Sequence, residues 1–276
     1  MPDRIPDPAA LPPAGSMRWY AWLFAPPAAR PVVAIAFALE LELRSIVDAR
    51  VDHAVSHLKL QWWREEIQRL VQGQPRHPLT QAALAAAPDA GPAWQPVQDL
   101  ISSLELDLAS ATCETETEFD RYLALADGLQ RSIAAVLLAA DAHSEQFARV
   151  IGQAVRSVEI IRDLRQDALD GRIYLPLDWL DAEGIDPNEL RSESLSPGVR
   201  RCLERLAARS REQGRLAREA MSEGNSAQMR AQIVFLGLHM ALLDLIEREQ
   251  FEVARMRHAL GSMQSLWTAW HHARQH

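Results

Sequence analysis

Apolar residues recur at helical spacing through almost the whole chain after Pro26, and no stretch alternates them as a half-buried strand would. That restricts the fold to helices packed on helices. The periodicity predicts helices over Pro31 to about Asp52, His57–Val71, a short piece at 78–87, Pro96–Ala111, Glu118–Ala142 and Gln146–Asp170. Three more follow at Gly198–Met221, Ala227–Arg248 and Phe251–His271. Residues 171–198 hold three prolines and three glycines and read as a long connection. Residues 1–16 carry five prolines and little that could pack. The expected organisation is a flexible tail at 1–16 and one all-α domain at 17–276, with about eight to ten helices.

Composition narrows the partners. A net charge of −8 with no dense Lys/Arg run argues against nucleic acid. Two distant cysteines, Cys113 and Cys202, make no disulfide framework and suit a reducing compartment. The N-terminal residues lack the apolar core of a signal peptide, and no apolar run is long enough to span a bilayer. A cytoplasmic protein is expected, at most peripheral to a membrane.

One segment carries candidate chemistry. Glu159, Asp163, Asp167 and Asp170 are spaced by four, four and three residues, which on a helix puts four carboxylates in one stripe. Like charges at that spacing repel, so the stripe is either a solvated face or the seat of a cation. Ile160, Ile161 and Leu164 interleave with the acids and argue for burial. Mg²⁺ prefers carboxylate oxygens and commonly shares them with substrate phosphate. Arg162 and Arg172 could grip the same phosphate with their planar forks. Elsewhere, Trp62, Trp63, Trp267 and Trp270 suit packing, and His271 and His272 suit a frayed terminus. Glu105 and Asp107 face different sides of their helix and make no paired acid site.

The stripe with its continuation, Glu159-Ile160-Ile161-Arg162-Asp163, Asp167-Ala168 and Gly171-Arg172-Ile173-Tyr174-Leu175-Pro176, resembles the second aspartate motif of the squalene/phytoene synthase family. Ser16-Met17-Arg18-Trp19-Tyr20 through Pro26 and Arg30 is similar to that family's opening segment. Leu58-Lys59-Leu60-Gln61-Trp62-Trp63-Arg64-Glu65-Glu66 and His77-Pro78-Leu79 are similar to two further segments. The resemblance covers about residues 16–180. It implies an isoprenoid-synthase-like helical bundle around a central cavity that condenses two prenyl diphosphates, of farnesyl or geranylgeranyl type, with Mg²⁺.

Carried over residue by residue, the resemblance implies Glu159, Asp163 and Asp167 as metal ligands and Asp163, Asp167 and Asp48 as catalytic acids. Tyr20, Arg30, Arg44, Arg162, Arg172 and Tyr174 would bind substrate. The first aspartate motif departs from the pattern: it falls on Arg44-Ser45-Ile46-Val47-Asp48, where only Asp48 keeps an acid. Arg44 and Asp48, four apart, could pair. A similarly eroded first motif occurs in the branch that resembles a mitochondrial complex I assembly factor. That branch implies an impaired enzyme that holds a lipid diphosphate or a protein partner.

Overall fold

The computed structural model describes residues 11–47, 52–138, 142–220 and 227–275. They form twelve α-helices and no strand, slightly more helices than expected: α1 (Met17–Leu23), α2 (Arg30–Ser45), α3 (His53–Val71), α4 (Pro78–Ala86), α5 (Val97–Leu108), α6 (Glu116–Ala126), α7 (Gly128–Leu138), α8 (Ala142–Leu169), α9 (Leu177–Ala182), α10 (Pro197–Ala220), α11 (Arg230–Arg248) and α12 (Ser262–Gln275). Local chemistry sets many of the starts. Ser16, Asp52 and Thr115 accept hydrogen bonds from the first free amides of α1, α3 and α6, and Pro31 sits in the first turn of α2.

Several boundaries differ from the expected ones: α2 ends at Ser45 rather than near Asp52, α3 and α8 each start four residues early, and three departures go further. The single helix predicted over Glu118–Ala142 breaks at Asp127–Gly128. There Gly128 lies so close to the backbone of Pro96 that a Cβ would fall 2.1 Å from its carbonyl oxygen. A crossing of that kind leaves no trace in hydrophobic spacing. The helix predicted from Phe251 starts eleven residues later. Gln250 and Phe251 take left-handed backbone (φ 54° and 58°) after α11, and Phe251 then turns into the core. Finally, α1 forms at the start of the expected domain, where no helix was assigned, and α9 forms within the connection expected at 171–198.

The 28-residue α8 organises the rest, packing against α6, α7, α10 and α11. Its first half (Phe147, Ile151, Val155) belongs to one apolar cluster, with Phe37, Ile133 and Phe235. Its second half (Val158, Ile161, Leu164) belongs to another, with Phe119, Trp179, Leu206 and Ile246. The polar site lies where the two clusters meet. Gly152 fixes how α8 crosses the α6–α7 break, since a Cβ there would fall 2.5 Å from Asp127 Cβ. Among the described residues, no helix is long and apolar enough to cross a membrane.

Candidate active site

Arg156, Glu159, Asp163 and Asp167 share one face of α8, and α1, α2 and α5 close over its middle. Glu159 is buried and meets three guanidinium groups: Arg18 at 3.4 Å, Arg156 at 3.6 Å and Arg44 at 3.7 Å. Arg18 and Arg44 also clasp the buried Glu40 of α2, at 2.9 and 3.0 Å. Burial works against both carboxylates, but Arg44, Arg18 and Arg156 hold Glu159 well below the usual range, and Arg18 and Arg44 hold Glu40 down likewise. Two glutamates thus lock three arginines in place.

On the far side of Arg156 lies a second network. Arg156 donates to the Tyr122 hydroxyl at 2.6 Å; Tyr122 and Tyr174 then donate to the same oxygen of Asp107, at 3.0 and 2.9 Å. The guanidinium also stacks 4.7 Å from the centre of the Tyr174 ring, a favourable cation–π distance. Burial raises both phenols, so they stay protonated and serve as donors.

Between these networks opens a cavity of about 500 Å³. Arg44, Arg156, Arg172, Tyr174, Asp107, Asp167 and Asp170 form its polar wall, and Val47 and Leu104 border it with apolar surface. Arg172 bonds Asp167 at 3.2 Å and Asp170 at 3.0 Å. Burial pushes the Asp167 carboxyl up to about 6 against the pull of Arg156 and Arg172.

The sequence-predicted residues divide accordingly. Arg44, Asp167, Arg172 and Tyr174 meet at the cavity, and Glu159 lies just behind Arg44. Asp163 faces away from it, held by Arg162 (2.9 Å) and by Arg257 (2.7 Å), which follows α11. Tyr20 instead bonds the Ser262 carbonyl at the start of α12. Arg30 is taken up by the carbonyls of Leu23 and Ala25 in the α1–α2 turn. Asp48 lies outside the described residues; Arg44, its expected partner, bonds Glu40 at 3.0 Å and meets Glu159 at 3.7 Å.

Sequence reasoning passed over Arg18, Glu40, Asp107, Tyr122 and Arg257. Two signals were present: Glu40 stands four before Arg44, and Arg156 three before Glu159, both same-face spacings. The divergence of Glu105 and Asp107 was read correctly, since Glu105 turns out to Arg64 at 2.8 Å. What it concealed is that Asp107 enters the site alone.

Glu159, Asp163 and Asp167 were expected to suit a magnesium ion, and the packing of the described residues does not bring them together around one. Glu159, Asp163 and Asp167 do not converge; among the described residues no three His, Cys, Asp or Glu side chains could hold an ion together. Each carboxylate has its own guanidinium instead. Arg44, which has no lone pair to offer a metal, reaches Glu159 from the α2 side.

The site is thus a cavity in a helical bundle where three guanidiniums, three carboxylates and a tyrosine meet beside α8. The squalene/phytoene synthase family model matches residues 11–264, and the chain belongs to that family. It is 32% identical over 105 residues to the phytoene synthase of Thermus thermophilus, covering 38% of this chain and 36% of that one. Against the chloroplastic phytoene synthase of Daucus carota it is 26% identical over 230 residues, covering 80% and 57%. The chain thus spans less than two thirds of the curated relatives it matches. In fold it is similar to a dehydrosqualene synthase crystallised with a ligand (TM-score 0.76, 14% identity, 94% and 91% covered). It is likewise similar to a squalene synthase from Alicyclobacillus acidocaldarius (TM-score 0.70, 20% identity, 84% and 88% covered). Divalent metal ions serve the family in general.

Proposed function

We propose that the protein condenses two prenyl diphosphates, of farnesyl or geranylgeranyl type, head to head with loss of diphosphate. The observation that carries this reading is the cavity where Arg44, Arg156 and Arg172 converge in a chain of this family. A diphosphate there would meet three forked donors that stay charged at any physiological pH. Val47 and Leu104 would receive the start of the isoprenoid tail.

The allylic C–O bond would break with its electron pair leaving on the diphosphate. The double bond of the second substrate would capture the resulting cation, forming the C–C bond with loss of a proton. Negative charge grows on the leaving oxygens, and donors already fixed in place stabilise it without reorganising. Glu40 and Glu159 supply that fixity by holding Arg44 and Arg156. Among the described residues, the Mg²⁺ expected from the sequence has no assembled set of donors. Met263, Leu266, Trp267 and Trp270 form an exposed apolar stripe on α12, which supports peripheral contact of a cytoplasmic protein with a membrane.

The test is to incubate the protein with farnesyl or geranylgeranyl diphosphate and follow pyrophosphate release and the condensed product, which keeps the second substrate's diphosphate. Release that falls at least about tenfold in Arg172→Ala is expected, as for loss of a charged hydrogen-bond donor. No release and no saturable binding of either substrate would overturn the reading.

A further inference from the structure

We propose that this protein binds the diphosphate group without a divalent cation, Arg44 supplying from within the chain the positive charge that bridges α2 and α8. The inference rests on the prenyl-diphosphate reading above and deepens it.

A divalent ion between two helices needs oxygen donors facing it from both. On α8 the donor at the right depth is Glu159; on α2 the group that reaches it is a guanidinium, 3.7 Å away. The same guanidinium is tied at 3.0 Å to Glu40, so its position is fixed from two sides. Its side chain nonetheless keeps 24% of its surface exposed and forms part of the cavity wall, where its N–H groups can meet an arriving anion.

Charge balance points the same way. Around the cavity, the acids Glu40, Asp107, Glu159, Asp163, Asp167 and Asp170 are matched by Arg18, Arg44, Arg156, Arg162, Arg172 and Arg257. Among the described residues the neighbourhood is therefore close to neutral. Among the described residues, a magnesium ion would have to displace a guanidinium from Glu159, Asp163 or Asp167 before gaining a ligand there. A diphosphate has only to share guanidiniums already oriented, and its oxygens match their fork.

The experiment is calorimetric titration of the full chain with inorganic pyrophosphate, once in EDTA and once in MgCl₂. Binding in EDTA is expected to be no weaker than in MgCl₂, and Arg44→Gln should weaken it at least about tenfold. Arg172→Gln, which leaves the α2–α8 lock untouched, should weaken it similarly and serves if Arg44→Gln folds poorly. In Arg44→Asp, binding in EDTA should vanish and return only with Mg²⁺. Pyrophosphate binding seen only with Mg²⁺, or seen under neither condition, overturns the proposal, as does unchanged affinity in both glutamine variants. The two readings fail separately. Binding in EDTA without turnover of farnesyl diphosphate removes the catalytic reading and keeps this one. Turnover with pyrophosphate binding confined to Mg²⁺ does the reverse.

Discussion

Glu66 and Glu159 are both buried glutamates whose charged form is held against desolvation, yet they are built in opposite ways. Glu66, fully buried on α3, collects its donors locally: the amides of Arg76 (2.7 Å) and His77 (2.8 Å), the Thr80 hydroxyl, and Arg69 at 2.8 Å. All lie within fourteen residues, and most are neutral dipoles that close the α3–α4 turn. Glu159 collects three full charges from α1, α2 and its own helix, across up to 141 residues, at the edge of a cavity. Both stand in segments that resemble the same family. One builds the scaffold, while the other holds guanidiniums in place at the wall of a cavity.

Removing each carboxylate should expose that difference most strongly. Glu66→Ala and Glu159→Ala should each cost about 3–5 kcal/mol, as for a buried charge network that loses one partner, measured by denaturant unfolding. Pyrophosphate should recover a good part of the loss in Glu159→Ala, because an anion can replace the missing charge. It should recover none in Glu66→Ala. Equal recovery in both would break the contrast.

Next in size is Tyr122→Phe, which deletes the link between Arg156 and Asp107. A loss of about 1–3 kcal/mol is expected, as for a charged hydrogen bond, together with weaker pyrophosphate binding. A stability loss with unchanged binding would move Tyr122 to the scaffold side.

Acid should separate the regions further. The donors around Glu66 lower its carboxyl from an ordinary value of 4.5 to about 2. Its contribution is therefore complete above 4.5 and disappears as the pH falls through 2. Glu66→Gln should flatten that part of the stability–pH curve. Asp167 at the cavity runs the other way. Its raised carboxyl, about 6 against 3.8, makes the charged form costly above pH 6, and the cost is relieved as the pH falls toward 3.8. Asp167→Asn should abolish this relief in thermal melts between those limits; an unchanged difference curve would show that Asp167 is not desolvated. The smallest effect is expected at the α12 surface, where Trp267→Gln should change stability by less than about 0.5 kcal/mol.

Much of this was legible in the residues. The helices follow from spacing and several starts from Ser16, Asp52 and Thr115, because these are interactions between neighbours in sequence. The stripe on α8 was legible for the same reason. The arginines that neutralise it were not, since Arg18 reaches Glu40 and Glu159 across 22 and 141 residues, and Arg257 reaches Asp163 across 94. Helical spacing gives the face on which an acid stands and says nothing of what crosses that face. The break at Asp127–Gly128 had a local signal, the Asp-Gly pair, but the close approach of Pro96 and Gly152 to it is not written in the spacing.

Gly152 has a consequence for the site, which begins one turn further along the same face of α8. Arg156 and Glu159 follow it at steps of four and three, and Asp163 and Asp167 at fours. The contact with Asp127 therefore works as a keyway does on a shaft: it fixes the angle at which the whole helix is mounted. Adding a single methyl at Gly152, about 10 Å along the axis from Glu159, would force the shaft to rotate or lift. Every charge on that face would then be mis-timed against α1 and α2, although no residue of the site itself had changed.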